Sequence, residues 1–218
     1  MRMQVKAIAF DLWNTIAFSK KERFLEKARD HFGLSEKEFN KGRYWTFAEE
    51  HWMKGRKSEK EFFKELCEYL GLTNGDAVKE FILLWEENLD SFKFFPESEN
   101  VLSILSRKYP LALISNTEES SGERARKRFH LERFFKEVVY SYEVGLVKPD
   151  KRVFDITAKR IGFKPSEMCM IGDDTKNDIK GAKSVGMKAI WINRENSGTC
   201  VEADYTLKNL IELKEIFL

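Results

Sequence analysis

The sequence has few cysteines and no long hydrophobic run. Its 218 residues include only three cysteines, Cys67, Cys169 and Cys200, which are widely spaced and form no CxxC pair. An odd number of scattered cysteines argues against a disulfide framework or a cysteine metal site, so we expect reduced thiols. The apolar run within the first ten residues, MRMQVKAIAF, is too short for a signal peptide or a membrane span. We therefore expect a cytoplasmic protein with no membrane partner.

The sequence also lacks an excess of charge of either sign. Its 38 Lys and Arg residues nearly balance 36 Asp and Glu residues, for a formal net charge of +2. A chain without an overall basic field is not expected to bind nucleic acid. With 42% hydrophobic and 34% charged residues, it has the composition of a globular protein. Its length suits one large domain, or a core with a smaller second domain.

Short apolar segments alternate with helical segments through most of the chain. The first apolar segment is residues 5–10, and the alternation resumes near Pro96. This pattern predicts an α/β fold: a Rossmann-like parallel sheet with right-handed crossovers. Continuously apolar strands indicate that helices cover both faces of the sheet. The later predicted strands are residues 111–116, 137–141, 168–174 and 188–193, followed by a short edge strand and a closing helix.

Residues 17–94 show a different pattern, which predicts four helices and no strands. Residues that commonly cap helices stand at the expected starts of three of them: Ser35 with Glu38, Ser58 with Glu61, and Asn74 or Asp76. We therefore expect two domains. Residues 1–16 and 95–218 form the core, and residues 17–94 form a helical bundle that is inserted after the first strand.

Polar residues with complementary chemistry follow the predicted strands. Because ligands bind beyond the carboxyl ends of strands in parallel sheets, we expect these residues to meet at one edge. They are Asp11 after the first strand, Ser115 and Asn116 after the second, Lys148 after the third, and Asp173, Asp174 and Asp178 after the fourth. A single residue of this kind is usually a helix cap or a loop residue. Four strand ends with matching chemistry indicate an active site.

These side chains suit phosphoryl transfer to a carboxylate. Asp11 can attack phosphorus and form an aspartyl phosphate. Carboxylate and phosphate repel each other, so a cation is needed, and Mg²⁺ prefers oxygen ligands such as those of Asp11 and Asp173. Ser115 can donate a hydrogen bond to a phosphate oxygen, and Lys148 can neutralise the charge that develops. Asp178 can orient the waters of the metal.

In these residues the sequence resembles the haloacid dehalogenase-like hydrolase superfamily. The four motifs of that superfamily match FDLWNT, LISNT, VKPD and IGDDTKND, in order and across essentially the whole chain. The resemblance implies a Rossmann-like core, with residues 17–94 as a mobile helical cap over the site. It also implies roles for single residues: Asp11 as nucleophile, Ser115 and Lys148 as phosphate-binding groups beside Asn116, and Asp11, Asp173, Asp178 and the backbone carbonyl of Trp13 around Mg²⁺.

Trp13 departs from the pattern of the phosphatases in this superfamily. They carry a second aspartate at this position, which protonates the leaving oxygen and then activates water. Indole donates a hydrogen bond but does not exchange a proton near neutral pH. A missing general acid–base group typically costs about 10²–10⁴-fold in rate. The next residue, Asn14, stands where the family usually has glycine and tolerates the positive φ of such a turn.

Three interpretations of Trp13 stay open. In the first, the protein is a slow or atypical phosphatase of a small phosphorylated molecule, and the substrate or Asp174, His31 or His51 supplies the proton. In the second, it is a 2-haloacid dehalogenase. Those enzymes have an aromatic residue here but use no Mg²⁺, so the acidic fourth motif argues against this interpretation. In the third, the site binds phosphate and metal without efficient turnover.

The helical segment contains several large apolar side chains close together, Tyr44, Trp45, Phe47, Trp52 and Met53. Some of them must form the core of the bundle, and the others can face the site, where Trp13 would form a wall of the leaving-group pocket. Candidates for contact with an anionic substrate are Arg43, His51 and Arg56. The sequence does not name the substrate, and it is compatible with a monomer or a homodimer.

Overall fold

A parallel six-stranded sheet lies at the centre of the structure, a computed structural model that describes residues 3–19, 21–73 and 75–218 and their side chains except 21 and 22. The strands are β1 Ala7–Phe10, β2 Ala17–Phe18, β3 Lys93–Phe94, β4 Leu111–Ser115, β5 Glu137–Tyr140, β6 Met168–Gly172, β7 Lys188–Ile192 and β8 Tyr205–Leu207. The sheet has the order β5-β4-β1-β6-β7-β8, and its neighbouring strands are parallel. The predicted α/β fold is confirmed.

Helices connect the strands. The α-helices are α1 Lys21–Phe32, α2 Lys41–His51, α3 Glu59–Leu70, α4 Ala77–Asp90, α5 Ser98–Ser106, α6 Glu119–Phe129, α7 Ser141–Val144, α8 Lys151–Ile161, α9 Gly181–Ser184 and α10 Leu213–Phe217. A π-helix, Thr175–Lys180, follows β6. Short 3₁₀ helices are Leu131–Arg133, Pro165–Glu167 and Leu210–Glu212.

Both faces of the sheet are buried under helices. In β1, Ile8 and Phe10 belong to one apolar cluster, and Ala7 and Ala9 belong to another. Apolar residues of α5 and α10 join the first cluster, and those of α8 and α9 join the second. Strands that are covered on both sides need apolar residues at every position, and this need explains the unbroken apolar runs in the sequence.

The register of the sheet aligns the carboxyl ends of its central strands. Phe10, the last residue of β1, lies opposite Leu113 of β4 and Ile171 of β6. Each of those two strands continues for only one or two further residues. The residues that follow β1, β4 and β6 therefore emerge at the same edge of the sheet.

Helices α1 to α4, which we call the helical unit, pack around a cluster of aromatic side chains. Trp52 stacks on Phe62 with ring centroids 4.1 Å apart. Phe63 stacks on Phe81 at 5.5 Å, with the rings 7° from parallel. Trp85 is completely buried. Aromatic pairs of this kind add to the stabilisation from burial alone.

The ends of the segment 17–94 differ from the prediction of a region without strands. Ala17 pairs with Phe94, and Phe18 pairs with Lys93, so β2 and β3 form an antiparallel ribbon. The backbone N–H of Phe95 also donates to the carbonyl of Ile16 at 3.1 Å. The chain thus enters and leaves the helical unit through two adjacent, hydrogen-bonded segments. Strands of two residues are too short to leave a period-two signal in the sequence.

The structure agrees with some of the predicted helix caps and not with others. Ser58 and Glu61 form the expected capping box at the start of α3. Ser35 and Glu38 make the same reciprocal hydrogen bonds, but they close a turn. The prediction of a helix start at Ser35 is wrong, because α2 begins at Lys41 with Asn40 as its cap. For α4, Asp76 is at the cap position without a side-chain bond, and Asn74 lies outside the described residues.

The cysteines of the structure agree with the expectation of reduced thiols. The three cysteines are free thiols, and Cys67 and Cys169 are buried. Burial raises the pKa of the Cys169 thiol, as expected for an unreactive core residue. Within the described part of the chain, no helix is both long enough and apolar enough to cross a membrane.

The aromatic cluster should dominate the stability of the helical unit. Phe81 of α4 is completely buried, and Leu83 on the same helix is 61% exposed. We expect Phe81→Ala to lower the free energy of unfolding by about 3–5 kcal/mol, because it removes a large buried ring and leaves a cavity. The matched change Leu83→Ala should cost less than about 0.5 kcal/mol. Chemical denaturation measures both, and equal losses would contradict this account of the packing.

Candidate active site

Polar residues converge at the carboxyl edge of the sheet, as predicted. Asp11 follows β1, Ser115 ends β4, and Asp173 follows β6. The backbone N–H of Asp11 donates to the carbonyl of Ile171 at 2.8 Å, which ties the ends of β1 and β6 together. A cavity of about 760 Å³ lies at this edge, and its walls include Asp11, Asp173 and Lys148.

Lys148 is the centre of a buried network of charges. Its Nζ donates to Asp11 Oδ1 at 2.6 Å, to Asp178 Oδ1 at 2.6 Å and to the carbonyl of Ile114 at 2.9 Å. An ammonium group has three donors, so these bonds satisfy it fully. The residue is only 3% exposed. A charge at this depth is tolerated because it is paired and hydrogen-bonded.

Asn116 positions the backbone of Lys148. Its Oδ1 accepts a hydrogen bond from the Lys148 N–H at 2.7 Å, and its Nδ2 donates to the Lys148 carbonyl at 3.0 Å. Asn116 lines the cavity, but both ends of its amide already serve this contact. A contact between Asn116 and a substrate stays a prediction.

Ser115 lies deeper than its predicted role suggests. Its side chain is 1% exposed, and its Oγ makes no hydrogen bond to the described residues. It is not among the described residues that line the cavity. A buried hydroxyl with no protein partner is the kind of group that a ligand oxygen would satisfy.

Asp178 is held at the base of the site by the backbone around it. Its Oδ2 accepts a hydrogen bond from the N–H of Asp174 at 3.0 Å. A Cβ on Gly172 would lie 2.2 Å from the same oxygen, so only glycine leaves room for this carboxylate. The π-helix Thr175–Lys180 carries Asp178 on its first turn. Such helices are frequent at functional sites.

Burial and mutual repulsion shift the pKa values of the carboxyl groups upward. Burial, followed by the charges of Asp11 and Asp178, raises the pKa of Asp173 to about 8. Burial raises the pKa of Asp178 to about 7, although Lys148 opposes this shift. Burial also raises the pKa of Asp11, against the effect of Lys148. For Lys148, burial favours a lower pKa, but attraction to Asp11 and Asp178 outweighs it and the pKa rises.

The carboxylates form a set that fits a divalent cation. One oxygen each of Asp11, Asp173 and Asp178 lies within 4.8 Å of the other two. Three acids around one ammonium leave surplus negative charge in a buried place, and a cation would relieve it. Oxygen-only donors are what Mg²⁺ prefers. The backbone carbonyl of Trp13 stays a predicted further ligand.

Trp191 and Thr15 support Asp173, and neither was predicted from the sequence as a residue of the site. Trp191 Nε1 donates to the backbone carbonyl of Asp173 at 2.8 Å. Thr15 Oγ1 donates to Asp173 Oδ1 at 3.4 Å. Trp191 lies in the predicted strand 188–193, but nothing in a strand pattern indicates which way an indole N–H points.

Trp13 forms part of the cavity wall, as expected. Its ring packs edge-on against Phe92, with centroids 4.5 Å apart. Asn14 has a φ of 57°, so the turn has the predicted left-handed conformation. Phe92 follows the last helix of the helical unit, and Trp13 therefore lies where that unit meets the sheet.

The helical unit provides the opposite wall of the cavity. Lys41, Trp45 and Glu49 lie at intervals of four residues on α2, and all three face the cavity together with Met53. Of the predicted apolar cluster, Trp45 and Met53 therefore line the site. Tyr44, Phe47 and Trp52 are buried in the helical unit.

Several predicted site residues lie elsewhere. Arg43 and His51 line a separate cavity on the outer side of α2. Arg56 pairs with Glu119. His31 pairs with Glu80 at 3.1 Å, and His51 pairs with Glu65 at 3.2 Å. None of these four residues lines the cavity that contains Asp11, so their predicted contacts with substrate or with the leaving oxygen are wrong for this structure. Asp174 does line the cavity.

Comparison with known proteins identifies the family. Residues 5–186 match the family described as haloacid dehalogenase-like hydrolase. The chain belongs to this family, and the resemblance predicted from its four motifs is confirmed. A HAD phosphatase from Thermococcus onnurineus has a similar structure, with a TM-score of 0.68, 26% identity and 97% coverage of both chains.

Curated relatives include both phosphatases and dehalogenases. A glyceraldehyde 3-phosphate phosphatase of Methanothermobacter thermautotrophicus is 37% identical over 56% of this chain and 54% of its own length. An (S)-2-haloacid dehalogenase of Pseudomonas putida is 27% identical over 79% of this chain and 72% of its own length. The chain spans about half the length of the phosphatase relatives that it matches.

Gly172 gives a test of the site geometry. We expect Gly172→Ala to lower the free energy of unfolding by about 1–3 kcal/mol, because the new methyl group displaces the Asp178 carboxylate from Lys148. Gly55→Ala is the matched control, since no atom lies within 4 Å of its added Cβ. Thermal and chemical unfolding compare the two. Equal stability of both variants would show that Asp178 is not confined as described.

Proposed function

We propose that the protein is a Mg²⁺-dependent phosphatase of a small phosphorylated molecule, with Asp11 as nucleophile. The main support is the carboxylate set of Asp11, Asp173 and Asp178 within 4.8 Å, with Lys148 bonded to two of its members at 2.6 Å. The set lies in the wall of a cavity large enough for a metabolite. The similarity to phosphatases in sequence and structure supports the same reaction class.

The residues of the site have complementary tasks in this proposal. Asp11 attacks phosphorus, and Lys148 holds one oxygen of Asp11 in place and neutralises charge on the phosphoryl group. Ser115 donates its unused hydroxyl proton to a phosphate oxygen. Asp11, Asp173 and Asp178 hold Mg²⁺, which supplies the positive charge that lets a carboxylate approach a phosphate.

The helical unit acts as the cap of the site in this proposal. It contributes Lys41, Trp45, Glu49 and Met53 to the cavity wall opposite Asp11. The ribbon of β2 and β3 joins it to the sheet at one place. A cap of this kind excludes water and selects the leaving group.

The role of Asp11 leads to a direct prediction. We expect the wild-type protein to release phosphate from p-nitrophenyl phosphate and phosphorylated metabolites only with Mg²⁺, and Asp11→Asn to abolish release. The amide keeps the shape of the carboxylate but is a far weaker nucleophile. A colorimetric phosphate assay over a range of pH measures both proteins.

Asp90→Asn is a matched control for this test, because Asp90 is on α4, pairs with Arg124 and does not line the cavity. It should keep the wild-type rate. Release that persists in Asp11→Asn would contradict the assignment of the nucleophile. The absence of release from the wild-type protein would contradict the phosphatase function.

A second function, dehalogenation of a 2-haloacid, is favoured by Trp13. An aromatic residue occupies this place, and halide leaves without needing a proton. The similarity to the Pseudomonas putida dehalogenase covers 79% of the chain. The carboxylate set favours the phosphatase, because a surplus of buried negative charge would oppose the binding of an anionic haloacid without a cation. Halide release from 2-haloacids in the absence of Mg²⁺ would favour the dehalogenase.

Trp13 should influence which leaving groups the protein accepts. We expect Trp13→Asp to raise the turnover of alkyl phosphates relative to p-nitrophenyl phosphate, because the new carboxyl group can protonate an alkoxide. Trp13→Phe keeps an aromatic wall without adding an acid, so it should not change this ratio in the same direction. Steady-state kinetics on both substrates measure the ratio. If neither turnover nor preference changes in Trp13→Asp, Trp13 is not part of the leaving-group pocket.

A further inference from the structure

We propose that Glu49 of the helical unit is the general acid and base of the reaction, in the role that Trp13 cannot fill. This inference rests on the proposed phosphatase function. It concerns a residue that belongs to none of the four sequence motifs. Three observations support it. Glu49 lines the cavity, the other carboxyl groups of the cavity are engaged in other contacts or exposed, and the surroundings of Glu49 suit proton transfer.

The phase of α2 places Glu49 inside the cavity. Lys41, Trp45 and Glu49 occupy one side of the helix and line the cavity that also contains Asp11 and Trp13. The neighbouring Glu50 lines the separate outer cavity and is exposed. Two adjacent glutamates thus have different surroundings, and only the first faces the strand ends.

Asp174 is poorly suited to exchange a proton, although it also lines the cavity. Its Oδ1 accepts hydrogen bonds from the N–H groups of Lys176 and Asn177, both at 2.8 Å. Its Oδ2 accepts a bond from Asn177 Nδ2 at 3.0 Å. Both of its oxygens are therefore committed to the start of the π-helix.

The other acids of the cavity are also unsuitable. Asp11 and Asp178 are bonded to Lys148, and Asp173 belongs to the set that fits the cation. Glu26 is exposed to solvent at the cavity margin. Glu49 is the one described carboxyl group lining the cavity that is half-buried and is not bonded to Lys148, not part of the cation set and not a cap of the π-helix.

The surroundings of Glu49 suit a group that both gives and takes a proton. Burial raises its pKa, Lys176 and Lys54 oppose this shift, and Asp174 and Glu50 add to it. The net shift is upward, which brings a glutamate closer to neutral pH, where a general acid–base group works best. Lys176 belongs to the π-helix after β6 and Asp174 caps that helix, so Glu49 faces the strand ends across the cavity.

The proposed reaction has two steps, and Glu49 transfers one proton in each. The carboxylate of Asp11 forms a bond to phosphorus while the bond from phosphorus to the leaving oxygen breaks. The proton of the Glu49 carboxyl group passes to that oxygen, and the product leaves as an alcohol. The Glu49 carboxylate then takes a proton from water as the water oxygen bonds to phosphorus. The bond between Asp11 and phosphorus breaks, which releases phosphate and restores both carboxyl groups.

Glu49→Gln tests this step with two substrates of different leaving groups. p-Nitrophenolate needs no proton to leave, so the variant should release about one equivalent in a burst and then turn over slowly, since water is no longer activated. We expect the steady-state rate to fall by about 10²–10⁴-fold. An alkyl phosphate needs the proton in the first step, so the same variant should show a similar loss without a burst. Stopped-flow absorbance and quenched phosphate assays measure the two substrates.

Glu50→Gln is the matched control, with the same chemical change one residue away on the same helix. It should keep wild-type rates and show no burst beyond that of the wild-type protein. Trp13→Asp supplies a second readout: in that background Glu49→Gln should cost much less, because the new carboxyl group can take over the proton. A general loss of structure cannot produce a burst or such a rescue.

The outcomes separate this inference from the function on which it rests. If the wild-type protein and Glu50→Gln release phosphate and Glu49→Gln matches them, Glu49 has no part in proton transfer and the phosphatase stands. An equal loss on both substrates without a burst would also overturn the inference, since it indicates a structural role. If no protein releases phosphate with Mg²⁺, the proposed function fails first, and the role of Glu49 fails with it.

Discussion

The buried bonds of Lys148 to Asp11 and Asp178 are the interaction on which the rest of the site depends. They bring Asp11, at the end of β1, and Asp178, in the π-helix after β6, each within 2.6 Å of the Lys148 nitrogen. Without this ammonium group, the carboxylates would repel one another at close range in a dry environment. A buried ion pair of this type contributes little net stability, because desolvation offsets most of the attraction. Its value is the fixed placement of Asp11.

The placement of Asp11 depends in turn on contacts that fix the backbone of Lys148 and the carboxylate of Asp178. Asn116 holds the backbone of Lys148 through both atoms of its amide. Gly172 leaves the only space in which the carboxylate of Asp178 can lie beside the end of β6. Each restraint is local and made by a different strand end. The site therefore inherits its geometry from the register of the sheet, and small shifts between β1, β4 and β6 would disturb all of it.

The sequence predicts this half of the cavity well, because parallel strands bring their carboxyl ends to one edge whatever the details of packing. Asp11, Lys148 and Asp173 meet as expected. The opposite half was not predictable in the same way. Whether Glu49 or Glu50 faces the site depends on the rotation of α2, and that rotation is set by burial of Tyr44 and its neighbours in the helical unit. A sequence motif identifies residues by their chemistry. The residues on the opposite wall of the cavity are determined by tertiary packing, which a motif does not contain.

The ribbon of β2 and β3 has a consequence for how such proteins can vary. Its paired residues, Ala17 with Phe94 and Phe18 with Lys93, bring the two ends of a segment of some seventy residues side by side. Paired Cα atoms in an antiparallel ribbon lie about 5 Å apart, which a short hairpin loop can span. The helical unit therefore connects to the sheet in the same way as a single long loop would. Its length and internal packing can change through evolution or engineering while the strand ends, and the chemistry they position, stay the same.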